Sequence, residues 1–115
     1  MALDPVSGPG PSSGGLPFVF FERRELDRLM RLYGQRVAAG EWRDYAIAGL
    51  TEVAVFSIFR RASEQPLYRI EKRPALARKQ GAWSVVGQGG IILRRGHELE
   101  QVLRLFDKGK FKVVE

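Results

Sequence analysis

The sequence predicts an α+β domain, an antiparallel β-sheet with two flanking α-helices in the approximate order β-α-β-β-β-β-α-β. Three observations lead there. Between Val53 and Arg95 the chain repeats short β-prone runs, joined by links too short for crossovers. On either side lies a longer stretch whose apolar residues recur at the 3, 4 and 7 spacing of an amphipathic helix. The apolar content of 44% suffices for one core, and at 115 residues there is room for one domain.

Residues 1–15 are dominated by Gly, Pro and Ser and have almost nothing to bury, so a disordered tail is expected, with the domain spanning 16–115. Phe18-Val19-Phe20-Phe21 reads as a brief strand. A helix follows from about Glu22 to Ala39, with Leu26, Leu29, Met30, Tyr33 and Val37 as its apolar stripe and Arg24, Arg28 and Arg31 opposite. Glu22, Glu25 and Asp27 suit the positive end of the helix dipole, and Gly40 is a plausible C-terminal cap. Tyr45-Ala46-Ile47 reads as a short extra strand turned by Gly49, with Trp42 and Tyr45 covering an edge of the core.

Val53–Phe59 is the most convincing buried strand. Val55 and Phe59 face one way and Phe56 and Ile58 the other, as in a strand covered on two sides or nearly so. The Ala62-Ser63-Glu64-Gln65-Pro66 link is polar and ends in proline, as a hairpin loop would. In the next strand Leu67, Arg69 and Glu71 alternate with Tyr68, Ile70 and Lys72, giving one mixed and one largely apolar face. Pro74 ends it, and Ala75–Gly81 forms a loop or a single helical turn. Trp83–Val86 and Ile91–Leu93 form a hairpin about Gly87-Gln88-Gly89-Gly90. Gly96 precedes a second helix, His97 to about Lys108, buried through Leu99, Val102, Leu103 and Phe106. Gly109 then admits a last strand, Phe111–Val114.

Charge is segregated. From Arg60 to Arg95 nine bases stand against two acids, a balance of +7, while the rest of the chain has ten bases and eleven acids, a balance of −1. With a pI near 10.2, this favours an anionic partner, nucleic acid above all. The expected contact set is Arg69, Lys72, Arg73, Arg78, Lys79, Arg94 and Arg95, rich in the arginine fork that grips phosphate oxygens in pairs. Trp42, Tyr45, Tyr68 and Trp83 are the aromatics available for recognition if exposed. The alternative is a protein–protein adaptor or homodimer that meets its partner through an aromatic edge (Phe18, Phe20, Trp42, Tyr45).

Catalytic chemistry finds no foothold. Cysteine is absent, which excludes disulfides, thiolate nucleophiles and thiolate metal sites. His97 is the one histidine and has no second imidazole as a metal partner. The glycine run at 87–90 precedes a strand and lacks the Gly-Lys-Ser/Thr of a phosphate loop. No serine has a nucleophile-elbow setting. No enzyme activity and no cofactor are therefore expected. No apolar run approaches the roughly 20 residues of a membrane helix, and no signal peptide is evident, so no membrane role and a cytoplasmic location are expected.

The central α-β-β-β-α order is similar to that of a double-stranded-RNA-binding domain. Those domains carry a lysine cluster where this chain has His97-Glu98-Leu99-Glu100, so that function is not carried over. A closer resemblance rests on Val19-Phe20-Phe21-Glu22-Arg23-Arg24-Glu25-Leu26, Leu32-Tyr33-Gly34, Gly40-Glu41-Trp42-Arg43-Asp44-Tyr45, Tyr68-Arg69-Ile70-Glu71-Lys72-Arg73-Pro74 and Leu93-Arg94-Arg95-Gly96-His97. Over about residues 18–114 the chain resembles a small alphaproteobacterial family of unknown function. The resemblance implies a bacterial cytoplasmic protein and brings no activity, ligand or catalytic residue with it.

Overall fold

The computed structural model describes residues 18–61 and 65–114, with side chains as far as Asp107; the expected tail and the centre of the 62–66 loop lie outside the described residues. Helix α1 (Arg23–Ala38) is followed by five strands, β1 (Asp44–Leu50), β2 (Val53–Phe59), β3 (Tyr68–Lys72), β4 (Trp83–Gly87) and β5 (Ile92–Gly96), and by helix α2 (Leu99–Val114). The strands lie in chain order, each antiparallel to the next, so every connection joins neighbouring strands.

Alternation along the strands sorts the side chains into two faces. Ala54, Phe56 and Ile58 of β2, Ile70 of β3, and Trp83 and Val85 of β4 form one cluster with Leu29 and Leu32 of α1 and Val102, Leu103 and Phe106 of α2. Both helices therefore pack on the same side of the sheet. Phe56 sits at the centre, fully buried. Val55, Ser57 and Phe59 of β2 turn to the other face and are half-buried, so the two-sided covering expected for this strand is realised on one side.

Helix α1 begins at a reciprocal cap in which the Glu25 side chain accepts from the Glu22 backbone N–H at 2.7 Å. It ends in a Schellman turn. Gly40, with φ of +80°, donates to the Val37 carbonyl, and Glu41 donates to that of Arg36. Its apolar stripe differs from the expected one at the C-terminal end. Val37 is exposed, while Arg36 is buried and donates to the Phe106 carbonyl of α2 and, at 2.9 Å, to Glu41.

Three further elements depart from expectation. β1 is a full seven-residue strand, and the turn comes at Thr51–Glu52. Gly49 lies inside β1, where a Cβ would run into the Phe20 ring, so this glycine makes room for an aromatic. Phe18–Phe21 contributes a single bridge, Phe18 to Thr51, before the chain enters α1. Gly109 does not break α2, whose backbone continues through residues 111–114, where a last strand was expected. No described helix is long and apolar enough to cross a membrane.

Candidate anion-binding surface

The face of the sheet opposite the helices carries Arg69 of β3 and Arg95 of β5. Register fixes the arrangement. Glu71 on β3 pairs with Ser84 on β4, and Ser84 pairs with Arg95 on β5, so the three form one row. Arg69 stands in the next row, opposite Val86, which faces Ile92. Ser84 and Val86 are short side chains between these longer neighbours, and both are buried. Arg73, one residue beyond β3, donates from its backbone to the Ala82 carbonyl at 2.7 Å and continues the alternation of Arg69 and Glu71.

Glu71 ties this face together. Its side chain is 11% exposed and lies 3.2 Å from Arg69 Nε and 3.5 Å from Arg73 Nε, one carboxylate serving two guanidinium groups. The trio keeps a net charge of +1, and both arginines hold about two-fifths of their side-chain surface in solvent. A carboxylate beneath two arginines fixes their positions and leaves outward-facing N–H groups.

Arg78 and Lys79 are exposed on the connection from β3 to β4, after the short 3-10 turn Pro74–Leu76. Two contacts pin that connection beside the end of β5. Gly81 adopts φ of +101° with its Cα hard against the Gly96 carbonyl, leaving no space for a Cβ. His97 Nδ1 lies 3.2 Å from the Ala77 carbonyl, the position of an Nδ1–H donor. Arg73, Arg78, Lys79 and Arg95 are thereby brought to one end of the sheet, with Arg69 one row inward.

Two of the seven expected contact residues stand elsewhere. Lys72 points to the helix side, where its ammonium donates to Glu25 at 2.7 Å and to the Phe20 carbonyl at 3.1 Å, and lies 5.8 Å from the Trp83 ring centroid. Its side chain is 14% exposed, so it fastens α1 to the sheet and is not presented to a ligand. Arg94 pairs with Val85 across a register shift and so belongs to the helix side as well.

The aromatic set is also corrected. Trp42 and Trp83 are core residues, Trp42 edge-on to Phe106 and Trp83 stacked on Phe21. Tyr68 is half-buried against Trp42 and Phe106. Tyr45 alone of the four is exposed, at the β1 edge of the helix side, with its ring against Phe56 and Tyr33. None of the four lies on the arginine face. Sequence reasoning missed Glu71 as the organiser of that face, although the alternating base, acid and base at positions 69, 71 and 73 carry the signal.

Among the described residues no group of three or more His, Asp or Glu side chains could hold a metal ion. No curated protein and no solved structure matches this chain. Residues 19–103, which include α1, the whole sheet and the start of α2, match the family described as Protein of unknown function (DUF2794), and the chain belongs to that family.

Proposed function

We propose that this protein is a non-enzymatic binding module that holds a polyanion, nucleic acid in the first instance, on the arginine face of its sheet. One observation carries the reading. The face that neither helix occupies bears Arg69, Arg73 and Arg95 around a single carboxylate, with Arg78 and Lys79 pinned at its end. Phosphate oxygens suit such a surface because guanidinium groups donate in pairs and are already oriented by Glu71. With no aromatic of the expected set on this face, contacts go to the phosphate backbone and carry little sequence information.

The test is fluorescence anisotropy with labelled single- and double-stranded oligonucleotides across a salt series. Neutralising four or five phosphates gives log K a slope against log salt of roughly −4 on duplex DNA. Arg73→Ala or Arg78→Ala reduces that slope by about one and weakens binding to all sequences alike. Absence of binding at low salt, where nonspecific attraction is strongest, refutes the proposal.

A further inference from the structure

The two edges of the sheet are unlike. β5 exposes Ile92 and Leu93 but carries Arg94 and Arg95 and a register shift opposite Val85/Val86, features that discourage a further strand from adding. β1 has none of them. It is seven residues long, contains no Lys, Arg or Pro, and pairs regularly with β2 throughout. On its open side Val19 donates to the Leu50 carbonyl at 2.9 Å and Phe18 bridges Thr51, which occupies the Leu50 end and leaves Asp44–Ala48 as the free stretch. Tyr45 and Ile47, 40% and 45% exposed, rise from that stretch on the helix side, flanked by exposed Phe18, Phe20 and Leu50.

From this edge we infer that the protein forms a twofold homodimer in which β1 pairs antiparallel with β1 of a second copy. Three features select a second copy as the occupant. An antiparallel pair over Asp44–Ala48 overlaps fully when centred on Ala46, which sets Tyr45 directly opposite Ile47 twice, an aromatic–β-branched pair of the stabilising kind. Charge permits the approach, because residues 44–59 carry Asp44 and Glu52 and no base, while the excess positive charge lies toward the far edge. Area permits it: the exposed parts of Phe18, Phe20, Tyr45, Ile47 and Leu50 amount to on the order of 500 Å² per copy, hence at most ~1,000 Å² for the pair, the lower bound for a biological interface. The result is a ten-stranded sheet whose outer edges are the guarded β5 strands, so assembly stops at two. It does not rest on polyanion binding, but it sets both arginine faces on the same side, with the two β3 strands about 24 Å apart at ordinary strand spacing.

The absence of native cysteine makes the test direct. Ala46 is exposed, and across the twofold axis its Cα meets its own copy at about 4.5–5.5 Å, within disulfide reach. Ala46→Cys in the full chain therefore cross-links under mild oxidation, whereas Ile92→Cys on the other edge does not. Sedimentation equilibrium gives a dimer for the native chain, and Ile47→Lys weakens self-association at least tenfold with an unchanged circular dichroism spectrum. Should Ile47→Lys fail to fold, the two cysteine variants decide. A native chain that stays monomeric at its highest soluble concentration overturns the proposal, as does Ile92→Cys cross-linking as fast as Ala46→Cys.

Discussion

Lys72 illustrates how a single residue's role is decided by which side of a strand it occupies. Its charge is shared with Glu25 and the Phe20 carbonyl in a half-buried setting, so removing it leaves the Glu25 carboxylate without its ion-pair partner. Lys72→Ala should cost about 1–3 kcal/mol in urea unfolding and leave the salt dependence of polyanion binding unchanged. Arg36 is the more severe case, since it is buried and satisfies both Glu41 and the Phe106 carbonyl of α2. Arg36→Met should lose about 2–3 kcal/mol by the same measurement. Tyr33 titrates above its ordinary range, through burial first and then the neighbouring Asp44 carboxylate and Tyr45. A raised pKa in the folded state means that the folded chain holds this proton more tightly than the unfolded chain. The associated stability is present below about pH 10 and is lost as pH rises through the folded value. Tyr33 should ionise late in a tyrosinate absorbance titration, and Tyr33→Phe should abolish that late step.

At the scale of elements, periodicity was the reliable signal and glycine the unreliable one. The stripe of α1, the alternation of β2 and β3 and the Trp83–Leu93 hairpin follow from spacing alone, because burying one face is a local requirement. Glycine marks different things in different places. Gly40 ends a helix through its positive φ, Gly49 clears space for Phe20 inside a strand, and Gly109 lies within α2. Only the tertiary neighbours distinguish these uses, which is why β1 reads as three residues in the sequence and spans seven in the fold. Gly81 is the glycine with most at stake for the candidate surface. Gly81→Ala combines a strained φ with a collision against the Gly96 carbonyl and should destabilise the protein by at least ~2 kcal/mol in thermal or urea unfolding. It should also weaken polyanion binding, by releasing the turn that carries Arg78 and Lys79.

Across the whole molecule, both helices cover one surface of the sheet and neither covers the other. The basic character of residues 60–95 was legible as composition, and five of the seven expected cations do share the open face or its end. Lys72 and Arg94 were misjudged for different reasons. The sequence shows that Lys72 alternates with Arg69, but not that Glu25, forty-seven residues earlier, waits on the helix side. Arg94 and Arg95 are adjacent and necessarily face opposite ways, and which one joins the open face is set by a register shift that no local pattern encodes. Of the four recognition aromatics Tyr45 is exposed, and the other three are buried or half-buried for a simpler reason. Large rings beside a small core bury more apolar surface inside it than they could offer to a ligand, and Trp42 and Trp83 went inside.

The measurement that tests the arginine face most directly compares two single variants on opposite sides of one sheet. Arg95→Ala and Arg94→Ala remove the same charge from adjacent positions, so bulk electrostatics treats them alike. In anisotropy titrations against duplex DNA over a salt series, Arg95→Ala should reduce the slope of log K against log salt by about one, while Arg94→Ala should leave it within error of the native value. Equal losses from the two variants, or none from either, would contradict a binding surface confined to the open face.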